Sequence, residues 1–547
     1  MSAAEQQVPI QVVGSSTFGR YNKISGRKVY NFFESDDWLV PYSGWKKIVE
    51  LVASTNQNVE GRGFFRSIRG NIAIAVINST VWRLDPNAGA LFIGNLATTT
   101  GPVFMDENLN SQIGIVDQLS IYVFNRDTNG LTRQASVTNG GPIPDDLTPN
   151  YIRFHNNYFL IGNNNTTGNG ARWYALIYSS ANALAVANGG QLALETKADF
   201  ARAIIPLPGK GNNVLVMGTA VSEVQNNSPI VSNDQVLLYQ RVSSINIYYG
   251  VLSVSTIAWS ETLVVWLAVN EKAKPVIMVF DGKGPRTIST DGINHQLGIL
   301  KHPEKSIAFI YEEDGHTFYQ IAFYDPADNL SLFVDLNTEK FYHTSDANLN
   351  YHPARQVVYI GNKSYFISIN NGAIYQLSTN FTTYDENIAP LGSPRYDEKL
   401  NHVIPRQIIG DNFMLPGGPD VFRAKRLYLT VEQGADILFS ELRALQSFSS
   451  FILTEQGEQM ISEDGQNLIT ERSGITLGYE PKIDFSYSRD GSVTFSREVP
   501  EVLNFSAIRQ NITRWIMNDR CNSFTPKWKF WSKGRIVVHN AFLMISR

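Results

Sequence analysis

Residues 71–85 read NIAIAVINSTVWRLD and form two short apolar runs on either side of a polar turn. Ile, Val and aromatic residues dominate both runs, a composition typical of strands, and each run is too short for a globular helix. The first run shows little polar alternation, which indicates a strand covered on both faces. The stretch therefore predicts a buried β-hairpin.

The same pattern recurs along the chain. Six further strand pairs follow, with centres about 40 to 60 residues apart, at residues 112–125, 151–164, 212–225, 261–281, 306–325 and 355–378. A four-stranded propeller blade has a period of roughly 40–50 residues and packs both sheet faces against its neighbours. We therefore predict an all-β chain with a six- or seven-bladed β-propeller and a second, β-rich platform domain. A set of stacked β-sandwiches is the alternative.

Changes in composition suggest the domain boundaries. We assign residues 1–60 to an N-terminal arm that belongs to the platform, 61–385 to the propeller and 386–404 to a proline-containing linker. Residues 405–547 are predicted to form the C-terminal β-rich platform domain. Helical periodicity is scarce, and the candidate helices are Gln191–Arg202 and Glu441–Gln446.

Dipeptides of Asn or Asp followed by Gly indicate tight turns. Asn-Gly and Asp-Gly tolerate the positive φ angles that short hairpins need. They occur at residues 129–130, 139–140, 281–282, 291–292, 314–315, 371–372, 464–465 and 490–491.

Overall composition narrows the class of function. The net charge of −4 and pI of about 6.1 disfavour tight DNA binding, which normally requires a basic excess. A single cysteine, Cys521, excludes an intramolecular disulfide and a cysteine-cluster metal site. The N-terminus lacks the pattern of a secretory signal, and the longest apolar run, Leu263–Val269, is far below the roughly 20 residues that span a bilayer. The sequence predicts a soluble chain that folds in a reducing cytoplasm.

Motifs for catalysis or metal binding are weak. The histidines lack the short ligand spacing of zinc sites; they are His155, His295, His302, His316, His343, His352, His402 and His539. Residues 14–20 (GSSTFGR) have glycines spaced as in a phosphate loop but end in Arg rather than Lys-Ser/Thr. We predict no catalytic, cofactor-binding or metal-ligating residue, no cofactor, and a protein that is not an enzyme.

One motif bears on an enzymatic alternative. Ser488–Phe495 (SRDGSVTF) resembles the Asp-box turn of sialidase propellers, although its glycine falls one place early. Glu313–Phe318 is a weaker match to the same motif. In such a turn the Asp caps the hairpin, which is a folding role. A propeller glycoside hydrolase, which would need paired carboxylates, remains an alternative function. A receptor-binding propeller is another.

Two segments of the C-terminal region are unusual. Trp515, Trp528 and Trp531 lie among Arg514, Arg520, Lys527, Lys529, Lys533 and Arg535. They predict either a surface for stacking nucleic acid or a hairpin with aromatic residues inward and cations outward. At about 450–472, an eight-residue repeat places Glu455, Glu463 and Glu471 at like positions. It is either a β-ladder facing water or an ordinary exposed β-loop.

A series of segments in order along the chain resembles the packaged-DNA-stabilisation proteins of short-tailed bacteriophages, also called tail hub or nozzle proteins. The segments are Gly14–Phe33, Asn95–Val123, Tyr151–Gly162, Val214–Glu223, Tyr239–Val254, Gly284–Gly298, Ala308–Thr344, Ile483–Arg497 and Arg514–Val538. The resemblance lies in the order of these segments and in their residue patterns, and it extends over nearly the whole chain. The Glu-rich repeat departs from the family pattern as an insertion.

The resemblance implies a propeller flanked by a platform built from both chain ends. It also implies a structural virion protein that forms a ring, expected to be a homohexamer, around the DNA exit channel. The ring would retain packaged DNA and serve as a conduit during ejection. A receptor-binding protein at the tail tip is an alternative. The implied partners are further copies of the chain, the portal or head–tail adaptor, and tail fibre, tailspike or plug proteins, with transient passage of double-stranded DNA. The expected location is the virion tail, after synthesis in the host cytoplasm.

Overall fold

A computed structural model describes residues 5–19, 26–52, 59–85, 88–165, 172–232, 235–385, 402–415, 420–434, 481–503 and 508–546. Strands dominate these ranges. They divide into two compact units, one formed by Thr17–Arg20 and Ser43–His402 and the other by Met1–Ser16, Tyr21–Tyr42 and Val403–Arg547. The first unit is the propeller and the second is the platform, so the predicted fold class is confirmed.

Within the described residues, the propeller contains seven antiparallel blades, each built on four successive strand positions. Blades 1 to 3 comprise Gly61–Ser67, Ile72–Ile77, Thr80–Asp85 and Gly89–Asn95; Phe104–Glu107, Gln112–Val116, Ile121–Asn125 and Gly130–Arg133; and Pro149–His155, Tyr158–Asn163, Trp173–Ser180 and Ala183–Leu192. Blades 4 and 5 comprise Ala203–Pro206, Asn213–Met217, Ser222–Asn226 and Gln240–Ile247; and Gly250–Val251 with Ala258–Trp259, Val264–Val269, Pro275–Phe280 and Pro285–Thr287. Blades 6 and 7 comprise Ser306–Glu313, His316–Phe323, Leu330–Asp335 and Lys340–His343; and Ala354–Ile360, Lys363–Ser368, Ile374–Ser378 and Gly44–Val49.

Blade 7 closes the ring with a strand from the other end of the chain. Gly44–Val49 pairs antiparallel with Ile374–Ser378 as the fourth strand of the blade. This corrects the assignment of residues 1–60 to a single platform arm, because the segment from Ser43 onward belongs to the propeller unit. Trp45 anchors the closing strand: it is 1% exposed and stacks on Tyr384 with ring centroids 3.5 Å apart.

Buried apolar clusters join each blade to the next. The contacts include blade 7 with blade 1, where Val358 and Ile367 pack against Ala73 and Ile77, and the other junctions have equivalent clusters. The second strand of each blade is therefore mostly buried on both faces, as the unalternated apolar runs predict. The hydrophobic effect closes the ring because an exposed blade face would leave those side chains in water.

The Asn-Gly and Asp-Gly pairs in the described residues lie in turns with one exception, Asp291-Gly292, and one predicted helix is wrong. Asp314 and Gly315 both adopt positive φ (53° and 80°) in the hairpin of blade 6. Asp291-Gly292 instead opens the α-helix Asp291–Ile299, whose N-cap Thr290 accepts a hydrogen bond from the Ile293 amide. The predicted helix Gln191–Arg202 is wrong: it contains the end of a strand and loop residues whose Leu192, Leu194 and Ala201 pack between blades 3 and 4. The candidate helix Glu441–Gln446 and the Asp464-Gly465 turn lie outside the described residues.

The remaining propeller elements are short. They are the strands Ile230–Ser232, Gln235–Leu237 and Thr383–Tyr384, the strand His402–Val403 at the unit boundary, and the 3₁₀ turns Val137–Asn139 and Val254–Thr256.

The platform consists of two sheets, and both chain ends contribute to each. The first has the strand order Phe32–Ser35, Trp38–Pro41, Ile536–Ser546, Phe422–Gln433 and Ile508–Cys521, with Gln6–Ile10 also pairing Ile536–Ser546. In the second, Lys28–Tyr30, Arg406–Ile409, Thr525–Trp531, Lys482–Ser488 and Val499–Val502 pair in that order. The Glu-rich repeat at 450–472 lies outside the described residues, as does most of the predicted 386–404 linker.

Candidate functional site

A cavity of about 300 Å³ lies among the first strands of the blades, which pack side by side at the centre of the propeller. Residues from six blades line it, and four of them are arginines: Arg62, Arg66, Arg153 and Arg355. Aromatic side chains, including Phe65, Phe104 and Trp259, complete the wall. We call this space the axial cavity.

Two of the arginines pair with carboxylates. The Arg153 Nε lies 3.3 Å from Asp106 Oδ2, and its guanidinium carbon is 3.9 Å from the centre of the Trp259 ring. Arg355 Nη1 lies 3.0 Å from Glu60 Oε1. Burial raises the pKa of Asp106, although Arg153 and the Phe154 amide act in the opposite direction.

Arg62 is held by neutral groups. It donates hydrogen bonds to the carbonyls of Gly101, Asn78 and Thr98 and to the Thr98 hydroxyl, at 2.7–2.8 Å. Burial lowers its pKa to about 10, and the side chain stays cationic at neutral pH. The nearby Asp117 carboxylate reaches this arginine through Thr98, whose hydroxyl is 3.0 Å from it.

Arg66 differs from the other three. It forms no hydrogen bond or ion pair with any residue that the structure describes, and its Nε is buried without a partner. The cavity thus carries four guanidinium groups against two directly paired carboxylates. Its electrostatics favour an anion.

The platform offers surfaces of a different kind. Ile508–Cys521, a strand of 14 residues, is the last strand of its sheet within the described ranges. Its outer face exposes Ile512 and Ile516 (58% and 72%) together with Arg514 and Arg520. We call this strand the basic edge.

The opposite border of the same sheet carries acidic residues. Strands Phe32–Ser35 and Trp38–Pro41 form a hairpin whose turn exposes Asp36 and Asp37, both with positive φ. Trp38 beside them is 44% exposed and contacts the His539 ring, with centroids 4.6 Å apart. We call this hairpin the acidic edge.

The basic and aromatic C-terminal stretch is a packed sheet with cations on its surface. Trp515 and Trp528 are buried, whereas Arg514, Arg520 and Arg535 are exposed. Trp515 donates to the Val499 carbonyl at 3.1 Å. The arrangement matches the hairpin interpretation, and these two indoles are not available to stack on bases.

The Asp-box resemblance at residues 488–495 is a turn-capping device. Asp490 accepts hydrogen bonds from the amides of Val493 and Thr494 at 3.1 and 2.9 Å and from the Thr494 and Ser488 hydroxyls at 2.6 Å. These bonds lower the Asp490 pKa far below its usual range.

Glu313, in the weaker Asp-box match, also makes hydrogen bonds that stabilise the fold. Its carboxylate accepts hydrogen bonds from the Ser378 hydroxyl at 2.6 Å, the Thr379 amide at 2.9 Å and the Ser43 hydroxyl at 3.4 Å. Ser43 directly precedes the closing strand, so Glu313 helps to fix the ring closure.

The other sequence candidates occupy structural positions. Gly14 approaches Arg27 so closely that a Cβ would overlap its guanidinium, and Arg27 pairs with Asp411. The segment is therefore packed and is not arranged as a phosphate loop.

The histidines at two of the predicted positions are also structural. His155 forms hydrogen bonds with Tyr239 and the Gly211 carbonyl, and His352 is buried among aromatic rings. Burial raises the pKa of Cys521 to about 11. The described residues contain no cluster of three or more metal-ligating side chains, and none of their helices is long and apolar enough to cross a bilayer.

The axial cavity was missed at the sequence level because its arginines lie far apart in the chain. A usable signal exists, because each of these arginines interrupts a first strand: Arg62 and Arg66 that of blade 1, Arg153 that of blade 3 and Arg355 that of blade 7. A charged residue inside a strand of the innermost ring must find a partner or face the axis.

Comparison with known proteins adds information on the fold class only. No known protein family matches the sequence, and no curated protein matches it. Solved structures that resemble it include a streptogramin B lyase (12% identity, TM-score 0.39, covering 62% of this chain and 98% of that one). Others are the WD40 β-propeller domain of Doa1 (10%, 0.36, 62% and 97%) and BamB from Moraxella catarrhalis (10%, 0.36, 69% and 98%).

Proposed function

We propose that the protein is a structural component of a short phage tail, a hub or nozzle subunit that joins further copies of itself in a ring around the DNA exit channel. The observation that carries the proposal is the platform sheet, whose two end strands within the described residues are opposite in character. The basic edge and the acidic edge lie at opposite ends of one sheet. This adds to the sequence resemblance, which implies a platform built from both chain ends.

Long exposed edge strands normally need protection. Among the described residues, Ile508–Cys521 has a strand partner on one side, and an edge of this length with exposed Ile512 and Ile516 favours aggregation unless another surface covers it. The acidic edge offers a complementary surface, with Asp36 and Asp37 for the arginines and the Trp38 ring for the isoleucines. Contacts between two different surfaces of identical subunits are head-to-tail, and they produce a ring when the rotation closes.

The charge balance suits a conduit. With a net charge of −4, the chain would not hold DNA phosphates strongly, so a genome could slide past without adhering. Retention of packaged DNA would then be mechanical or depend on a plug protein. In this proposal the ring binds the portal or adaptor on one side and tail fibre, tailspike or plug proteins on the other.

Imaging of the purified protein tests the assembly. We expect rings in negative stain, alone or after addition of the portal–adaptor complex. The double variant Ile512→Asp/Ile516→Asp should abolish them, because two carboxylates would replace the apolar contact with the Trp38 ring and add negative charge beside Asp36 and Asp37. Ile299→Asp is the matched control, since Ile299 is 59% exposed on the propeller and should leave rings intact. A protein that stays monomeric with the portal–adaptor complex would contradict the proposal.

Charge reversal tests the pairing of the edges. Arg514→Glu should weaken assembly, and adding Asp36→Arg and Asp37→Arg in the same chain should restore it. If the added changes weaken assembly further, the two edges do not meet and the head-to-tail arrangement is wrong.

A further inference from the structure

The axial cavity has a charge that its own residues do not neutralise. Arg153 and Arg355 have carboxylate partners, and Arg62 has a full set of carbonyl and hydroxyl acceptors. Arg66 has neither among the described residues, and its Nε is already removed from water. A buried guanidinium nitrogen without an acceptor costs free energy, and an oxyanion in the cavity would remove that cost.

The rest of the wall is suited to a flat apolar group. Phe65 and Phe104 line the cavity, and Trp259 is held in place beneath the Arg153 guanidinium. Ligand pockets typically combine an apolar wall with a few polar groups that fix orientation, and begin at roughly 300 Å³. The axial cavity, at about 300 Å³, would hold a single ring bearing one oxyanion group.

We propose that the axial cavity binds a small organic anion, with its phosphate, sulfonate or carboxylate group on Arg66 and its flat body against the aromatic wall. Arg62 and Arg355, whose side chains are almost wholly buried and held by their partners, fix the shape of the site. The inference is independent of the tail function, because no residue of either platform edge takes part.

The ligand class predicts an order of affinities. Phenylphosphate should bind with one-to-one stoichiometry and about tenfold more tightly than inorganic phosphate, because its ring leaves water for the aromatic wall. Benzyl alcohol, which keeps the ring and lacks the charge, should show no saturable binding. Isothermal titration calorimetry of the full chain measures all three.

Substitution of Arg66 tests the anchor. Arg66→Gln should weaken phenylphosphate binding by about tenfold or more, since a charge-assisted hydrogen bond is lost, and Arg66→Lys should retain part of the affinity. Arg69→Gln is the matched control: this arginine belongs to the same blade segment but is exposed and bonds the Leu109 carbonyl. It should bind as the unaltered protein does.

The experiments distinguish loss of the anion site from loss of folding. Arg66 anchors no other described residue, so Arg66→Gln should keep the circular dichroism spectrum and the ring assembly of the parent chain. Absence of saturable phenylphosphate binding, equal affinity for inorganic phosphate, or equal losses in the Arg66→Gln and Arg69→Gln variants would each overturn the proposal. None of these results would bear on the platform edges.

Discussion

The propeller and the platform use β-strands in opposite ways. Each blade hides both faces of its middle strands, and the strand Gly44–Val49 closes the ring of blades. The platform instead has strands of 11 to 14 residues, and its first sheet ends, within the described residues, at the basic edge and the acidic edge. The blades bury their hydrophobic strands against each other, whereas the basic edge exposes Ile512 and Ile516 on a strand that we propose a second molecule covers.

This difference predicts where substitutions act. Changes inside the propeller should lower the free energy of unfolding, because its blades are close-packed and a removed side chain leaves a cavity. Changes at the platform borders should leave stability almost unaltered and act on assembly. Pairs of equivalent residues in the two units allow a direct test.

The largest expected effect is at the two tryptophans. Trp45→Ala should lower the free energy of unfolding by about 3–5 kcal/mol, because it empties a buried site that Tyr384 and Phe366 surround. Trp38→Ala, on the acidic edge, should cost about 0.5 kcal/mol or less. Guanidinium unfolding of the two variants checks this, and similar losses would show that the distinction between the units is wrong.

Ion pairs give the next contrast. Glu60→Gln should destabilise the propeller by about 3 kcal/mol, because Arg355 is only 5% exposed and would lose its carboxylate partner. The Arg426–Glu5 pair of the platform is exposed on both sides (41% and 35%), so Glu5→Gln should cause no measurable change. The same unfolding experiment compares them, and a large effect of Glu5→Gln would contradict the account.

A smaller effect concerns pH. Burial lowers the pKa of His352 to about 3, below the unfolded value of about 6.5, so the folded chain keeps this imidazole neutral while the unfolded chain takes up a proton. Its contribution to stability is complete above about pH 6.5 and is lost as the pH falls towards 3.

Between pH 7 and pH 5 the loss should be about 2 kcal/mol. We expect His352→Phe to flatten the pH dependence of the unfolding free energy by that amount over this interval. The slope is the relevant measurement, since the variant also loses the bond that His352 Nδ1 accepts from the Ala354 amide. An unchanged slope would show that His352 is not the group that titrates.

The blades could be predicted because each middle strand is an apolar run between turn residues, and burial on both faces leaves that pattern in the sequence. The closing strand Gly44–Val49 could not, since GWKKIV contains two lysines, of which Lys47 is buried and pairs with Glu50. The helix Asp291–Ile299 begins with an Asp-Gly pair that also signals a turn. At Gln191–Arg202, packing between blades overrides a local preference for helix.

The functional surfaces were harder to predict than the fold. The sequence placed cations beside Trp515 but could not show which side of the strand each occupies, and that orientation creates the basic edge. The arginines of the axial cavity meet only because the ring closes. The tail function is a proposal that rests on the resemblance and on the opposite character of the two end strands described for the platform sheet.

Backbone hydrogen exchange tests the central contrast most directly. In dilute, monomeric protein, those amides of Ile508–Cys521 that do not bond to Phe422–Gln433 should exchange readily, and they should become protected when the protein assembles. The second strands of the blades should stay protected in both states. Assembly without added protection in Ile508–Cys521, or with protection gained mainly in the blades, would contradict the account.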